Sequence, residues 1–540
     1  MRYQVLITLI KWLHYPKLMT EKKITYVSIM ADEGIHPLYE KALEDVKDIL
    51  GREWPIYING KGASVGHTFE KRSPIDTNIL IGRFQRGGAP EFAKALDSAI
   101  TAFKEWSKED WRNRVKVMRK LADLIEKNRF RLAAIITYEV GKNRFEALAE
   151  VYEMIDVLRY NADLMTKMNG YEEPMSSPVP GEEPLSVMKP YGAWAVISPF
   201  NFPMALAKGM LTGVLLTGNT AVWKPTSEAP LSAVSLYELM IEAGVPSGAI
   251  NLVTGSGEAF EDAIVANPKV AGIAFTGSRD VGMRLYRRFT QSQPWPKPIV
   301  LEMGSKNPVI ITSKADLDKA AEGVMRAAFG FDGQKCSAAA RVYVQRNIYD
   351  EFISRLLEKT RTIKVGDPRH RDVFMGPVIN KSAQENYVKY IEDAVRAGGK
   401  VLHGGKVLNN GEFSRGYYVE PTILVNVPQG NYLWYTELFL PIILVDSFTT
   451  LDDALLKAND TEYGLTAGIF SEDMNEVNYF FDNIEFGVVY ANRRGGATTG
   501  AWPGAQPFTG WKASGATGRG VNGPYYLLNF LREQARTIVR

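Results

Sequence analysis

The chain holds one cysteine, Cys336, in the stretch GFDGQKCSAAARVYVQ. Glu302 closes the apolar run PIVLEMG, 34 residues before it. Asn201 sits in the proline-bounded turn SPFNFP, and Lys224 follows another apolar run in KPTSEAP. Gly277 and Ser278, in FTGSRDVG, open a helix whose free N–H groups can meet a phosphate. A thiolate, a carboxylate, a side-chain amide on a turn and a nucleotide-sized cleft are the parts for oxidising an aldehyde through a thioester.

Each residue alone has a plainer reading. A lone cysteine is most often a small buried hydrophobe. A glutamate near a strand end is usually solvated, an asparagine in a turn usually serves its own backbone, and a single lysine carries no signal. GSGEAF follows its second glycine with a glutamate, an alanine and a phenylalanine, and so lacks the last glycine of a dinucleotide fingerprint. Only together do these residues point to the chemistry.

Other chemistries fit less well. The histidines (His14, His36, His67, His370, His403) have no partner at helical spacing and Cys336 has no CxxC mate, so no metal site is expected. A serine or cysteine hydrolase would need an imidazole at the nucleophile. Lys and Arg number 64 against 61 Asp and Glu, a net charge of +3 that gives no field for nucleic acid. One cysteine cannot build a disulfide framework, which points to an intracellular, cytoplasmic protein. The opening MRYQVLITLIKWLHYPKLM is interrupted by Lys11, lacks a small-residue cleavage site and is too short to span a bilayer. It reads as a disordered or loosely docked extension, or as the product of an upstream start codon, and no membrane partner is expected.

The elements that must position these residues follow from periodicity. MADEGIHPLYEKALEDVKDILG, from Met30, reads as an amphipathic helix. Residues 90–165 are helical in pattern, with Val115, Met118, Ala122 and Ile125 at helix spacing and Asp110 as a cap. Short apolar runs then alternate with helix-length segments: GAWAVISPF, NTAVWKP, INLVTG and VAGIAFTGS. A second series follows: PIVLEMG, NPVIIT, RVYVQR, PTILVNV, PIILVDSF, TAGIFS and FGVVYAN. Runs buried on both faces and separated by helices predict two α/β parallel-sheet domains with a cleft between them. The tail LLNFLREQARTIVR predicts a strand suited to another subunit's sheet edge.

SPFNFP, KPTSEAP, FTGS, LEMGSKNP, GQKCSA and TELFLP together resemble the aldehyde dehydrogenase superfamily in order and approximate spacing, over about residues 55–540. The resemblance implies an α/β fold of two Rossmann-like parallel-sheet domains plus a small oligomerisation element. Its units would be residues 1–55, an extension and helix; 56–296, the NAD(P)-binding domain with an oligomerisation hairpin near 166–190; 297–495, the catalytic domain; and 496–540, a substrate anchor loop and C-terminal oligomerisation strand. It makes Cys336 the nucleophile, the Asn201 amide and the Cys336 backbone N–H the oxyanion hole, and Glu302 the base for the hydrolytic water. It implies NAD or NADP as cofactor, with Lys224 on the adenosine ribose, Gly277 and Ser278 beside the pyrophosphate, and Glu437 and Phe439 at the nicotinamide ribose and ring. Ile197, Ser198, Pro199, Phe200, Ser227 and Gly257 complete that surface. Ser227 stands where many NAD-preferring relatives carry a glutamate, and Glu228 next to it leaves the choice of cofactor open. Leu440, Ser305 and Glu261 each replace a glycine usual in the family.

ATTGAWPGAQPFTGWKASG is similar to the subgroup of 1-pyrroline-5-carboxylate (L-glutamate γ-semialdehyde) dehydrogenases, as are residues 139–165 and NGPYYLLNFLREQ. That implies proline catabolism, with Gly500 and Ala501 N–H groups on the substrate's α-carboxylate, Phe508 on its aliphatic chain and Ser337 beside the nucleophile. Succinate semialdehyde, 2,5-dioxopentanoate and a broad aliphatic range remain alternatives. A silent scaffold member would have lost Cys336, Glu302 or Asn201, and all three are present. A homo-oligomer, a dimer or larger, is expected.

Overall fold

The computed structural model describes residues 32–495 and 502–540. The first expected helix runs as α1 (Ile35–Lys47), and the helical stretch that follows divides into α2 (Ala89–Trp106), α3 (Trp111–Lys127), α4 (Arg129–Val140) and α5 (Arg144–Lys167). Asp110 caps α3 as its position predicts, accepting from Arg112 N at 2.8 Å. Asn143 caps α5 through the N–H groups of Phe145 and Glu146. Helix α5 is buried on nearly every side, so its glutamates Glu146 and Glu150 point into protein.

Strand β1 (Glu182–Pro190) leads into the first large sheet: β2 (Ala193–Ser198), α6 (Ala205–Leu216), β3 (Thr220–Pro225), β4 (Ile250–Leu252), α7 (Gly257–Ala266), β5 (Val270–Gly277), α8 (Arg279–Ser292) and β6 (Ile299–Met303). Parallel pairing gives the spatial order β6–β5–β2–β3–β4, extended by two short antiparallel strands, Ile56–Ile58 and Lys61–Ala63. The chain builds outward from β2 on one side, then returns to lay β5 on the other. The gap between β2 and β5 is therefore a topological switch point, where open α/β sheets leave a crevice at the strand ends.

By its pattern PIVLEMG belongs to the second series, with a boundary at 296/297. Strand β6 instead pairs with β5, from Ile273↔Ile299 to Gly277↔Met303. The first sheet therefore ends at Met303. Both series consist of runs buried on two faces, so β6 reads the same in either, and only its non-local partner decides.

The second sheet contains β7 (Asn307–Ile311), then beyond α9 (Leu317–Phe329) the strands β8 (Ala339–Gln345), β9 (Thr422–Val425), β10 (Ile442–Phe448), β11 (Thr466–Phe470) and β12 (Val488–Ala491). Their order is β9–β10–β8–β7–β11–β12, all parallel, with Lys400–His403 antiparallel at the β9 edge. Alternate residues feed two cores: Ile310, Tyr343, Leu444 and Ile469 one side, Val309, Val342, Ile443 and Phe470 the other.

The tail forms β13 (Leu531–Val539), antiparallel to β1 from Leu531↔Pro190 to Val539↔Glu182. Along one edge it pairs with its own chain, a partner the sequence does not specify, because main-chain pairing is blind to which chain supplies the edge. Among the described residues no helix is long and apolar enough to cross a membrane, and no group of three or more metal-ligating side chains occurs.

Candidate active site

The C-terminal ends of β2, β3, β5 and β6 face the loop before β8 across a cleft of about 560 Å³. Cys336, Glu302 and Asn201 all line it. The cysteine loop is held tightly. Phe331 and Asp332 adopt left-handed backbone (φ 49° and 58°), and at Gly333 (φ +65°) a Cβ would stand 2.4 Å from the Leu440 carbonyl. Asn307 Nδ2 donates to the carbonyls of Cys336 and Ala338, each at 2.8 Å. Lys335, next to the cysteine, pairs with Glu146 of α5 at 2.7 Å. Burial pushes the Cys336 thiol well above the usual range, and the charges of Glu302 and Glu437 push the same way. The N–H groups of Cys336 and Ser337 oppose them.

Glu302 projects from the end of β6, and its Oε1 is buried without a hydrogen-bond partner. Burial first, then the charge of Glu153, raises its pKa to about 8. Asn201 lies just before α6, whose first N–H groups, of Met204 and Ala205, are both held by Glu150 Oε1 at 3.0 and 3.1 Å. The other Glu150 oxygen takes the Lys142 ammonium at 2.8 Å, with both side chains fully buried. The Asn201 side chain, itself buried, is left facing the cleft with no hydrogen bond among the described residues.

The far part of the cleft is built from strand ends and helix starts. Ile197, Ser198, Pro199 and Phe200 form its wall beyond β2, and Phe200 meets Phe439 edge-on at 5.8 Å. Lys224 ends β3, and its Nζ donates to the Pro225 carbonyl at 3.0 Å, with burial lowering its pKa to about 8. Gly257 begins α7, where a Cβ would meet nothing closer than Lys224 Cε at 4.0 Å. Gly277 and Ser278 precede α8, whose start carries no side-chain cap. Glu437 accepts from Ser305 N at 2.8 Å, and burial raises its pKa to about 7. A Cβ on Gly304 would fall 1.8 Å from Glu437 Oε2, so the approach needs glycine. A strand-end ammonium, an uncapped helix start and an open glycine give this part the charge and room that a dinucleotide needs.

Other expected residues stand apart. Ser227 is exposed and does not line the cleft, though its neighbour Thr226 does. Glu228 is engaged by Lys71 at 2.6 Å and Asn380 at 2.8 Å. Ser337 is buried, its carbonyl accepting from Thr466 Oγ1 at 3.2 Å, and it does not line the cleft. Phe508 packs with Leu465, Val488 and Val521 beside Cys336. Gly500 and Ala501 lie outside the described residues. Sequence reasoning missed the ion pairs behind the site and also Arg284, which lines the cleft and holds Glu261 at 2.8 Å. The available signal was the i, i+4 spacing of Glu146 and Glu150 on α5.

The chain belongs to the aldehyde dehydrogenase family, whose model matches residues 61–535. Among named relatives it is 36% identical over 509 residues to the 1-pyrroline-5-carboxylate dehydrogenase of Geobacillus sp. (strain WCH70), covering 94% of this chain and 96% of that protein. Of solved structures, 1-pyrroline-5-carboxylate dehydrogenase from Thermus with bound NAD superposes with a TM-score of 0.91 at 33% identity, over 98% of this chain and all of that one. Proline utilization A from Bdellovibrio bacteriovorus matches at 36% identity and a TM-score of 0.89 over 94% of this chain, which spans only 52% of that longer protein.

Proposed function

We propose that this chain oxidises L-glutamate γ-semialdehyde, formed from 1-pyrroline-5-carboxylate, to L-glutamate with NAD or NADP. The observation that carries the reading is the single cleft in which Cys336, Glu302 and Asn201 meet a nucleotide-shaped far end. Relatives of known name and the NAD-bound Thermus structure supply the substrate and cofactor. The β2–β6 unit binds the cofactor, and the unit from β7 onward carries the nucleophile. A dinucleotide held there would supply the acceptor for the hydride lost by the aldehyde. Lys224 and the α8 start would hold its ribose and phosphate groups, and Phe439 and Glu437 would orient the end nearest Cys336.

The chain's own residues do the rest. Cys336 Sγ attacks the aldehyde carbon, and the oxygen's developing charge falls to Asn201 Nδ2 and the Cys336 N–H. Oxidation leaves an acyl thioester on Sγ. Glu302 takes a proton from water, which attacks the thioester and returns the thiol. Glu228 is already engaged by Lys71 and Asn380, so no free carboxylate stands there to repel a 2′-phosphate, which supports use of either cofactor. A single cysteine agrees with the cytoplasm, and the open outer edge of β13 with a homo-oligomer.

Initial rates across aldehydes test the reading: glutamate γ-semialdehyde is turned over in preference to succinate semialdehyde, 2,5-dioxopentanoate and simple aliphatic aldehydes. Equal turnover regardless of the α-amino acid group would reject it. Asn201→Ala, removing one oxyanion donor, lowers kcat by about 10²–10³-fold, read in steady-state kinetics with little change in cofactor affinity.

A further inference from the structure

The far part of the cleft runs out between α7 and α8. Gly257 and Glu261 reach it from α7, one turn apart on a single face. Val281, Arg284 and Leu285 reach it from one face of α8. This corner lies past Lys224. A Cβ on Gly257 would stand 4.0 Å from Lys224 Cε, and Glu261 is a helical turn further on.

Glu261 is 3% exposed, and both of its oxygens are taken. Oε2 accepts from Arg284 Nε at 3.0 Å and from Nη2 at 2.8 Å, and Oε1 pairs with Arg288 Nη1 at 2.9 Å. Arg288 also reaches Asp262 at 2.8 Å. Two carboxylates therefore face two guanidiniums, and the exposed Glu258, also in the lining, adds a further negative charge. The corner has no surplus positive charge, so a phosphate gains nothing there. What the pairing does fix is the plane of Arg284. One edge of its guanidinium is bound to a buried carboxylate, while among the described residues Nη1 makes no hydrogen bond and the side chain is half-exposed. A guanidinium held by its edge offers a flat, weakly hydrated face, and such faces stack on aromatic rings. Val281 and Leu285 flank Arg284 with apolar surface. A neutral, flat ring fits this corner.

We propose that Arg284, set in plane by Glu261, is the platform on which the purine ring of the dinucleotide stacks. This rests on the proposed use of NAD or NADP and divides the work of holding it. Lys224 and the α8 start would meet the charged and hydroxylated parts, and the base would meet a platform without net charge. Arg284 would touch the cofactor, whereas Glu261 is a positioning residue that acts through it. Glu261 replaces a glycine usual in the family, so the pair is a feature of this chain.

Binding to the full chain, without turnover, tests this by isothermal titration calorimetry. The ligands are AMP and whichever of NAD and NADP the native protein binds. All carry the same purine, so Arg284→Ala weakens each by about 5–30-fold, the loss of one desolvated stacking contact. Arg284→Lys weakens them as much, because its ammonium keeps the charge and has no plane; it also reads the same affinities should Arg284→Ala fail to fold. Glu261→Gln weakens them less, and adding it to Arg284→Ala costs nothing more, since Glu261 acts only through the guanidinium. The ligand-free melting temperature of each variant, near the native one, separates these losses from a general loss of structure. Affinities within about twofold of native in Arg284→Ala, native affinities in Arg284→Lys, or losses from Glu261→Gln and Arg284→Ala that simply add would each overturn this inference and leave the proposed function standing. If the native protein binds neither NAD nor NADP, the proposed function falls first.

Discussion

Replacing Cys336 with alanine abolishes aldehyde oxidation, with kcat down by at least about 10⁴-fold, while affinity for the dinucleotide changes little. The size follows from chemistry. Without Sγ there is no atom in the cleft to add to the carbonyl, and Cys336 is the chain's only thiol. The separation of effects follows from geometry. Most residues assigned to the cofactor end β2, β3 and β5 or begin α7 and α8 of the first unit, and Glu437 and Phe439 stand on a separate loop before β10, whereas Cys336 precedes β8. The loop is pinned by Asn307 through backbone carbonyls and by the Lys335–Glu146 pair, neither of which uses the sulfur. Cofactor binding by fluorescence titration, beside turnover of 1-pyrroline-5-carboxylate, checks both halves. Residual turnover near the native rate would remove Cys336 from the mechanism.

Much of this site was legible before the fold, for a definite reason. Asn201, Lys224, Ser278 and Glu302 each follow an apolar run, and a parallel sheet brings the ends of successive runs to one edge. A reader who recognises the runs can therefore place their last residues together. Strand β6 shows the limit: its run predicts a strand but not which sheet receives it, since that depends on pairing with β5 far from any local signal. The tail β13 shows the same limit at an edge. The lysine–glutamate pairs behind the site were hidden for another reason. Lys142 and Lys335 come from separate segments, and charged residues on a helix ordinarily read as a solvated face. Only the burial of α5 turns its glutamates into part of the site. Ser227 lies outside the cleft lining although its neighbour Thr226 belongs to it, a difference that chain adjacency does not reveal.

Replacing Glu302 with glutamine separates the two halves of the reaction. The first half needs Cys336 and the oxyanion donors, so one equivalent of reduced cofactor per site appears in a burst and turnover then stalls. The steady-state rate falls by about 10²–10⁴-fold, the usual scale of a lost general base, and the acyl-enzyme accumulates to be seen by mass spectrometry as an adduct on Cys336. Loss of the burst together with the steady state would assign Glu302 to the first half instead. The pH profile carries the same information in the native protein. With burial and Glu153 raising the Glu302 pKa to about 8, the carboxylate form that accepts the proton becomes scarce below that value, so the hydrolytic rate falls as pH drops from 9 toward 7. Stability runs the other way. The folded state keeps the proton that an unfolded Glu302 would release near its ordinary value of 4.5. That contribution is fully present below 4.5 and is lost as pH rises through about 8. Glutamine cannot ionise, so Glu302→Gln flattens this part of the melting-temperature profile while removing the pH dependence of hydrolysis. A single buried carboxylate whose ionisation costs stability and permits turnover predicts both changes from one substitution.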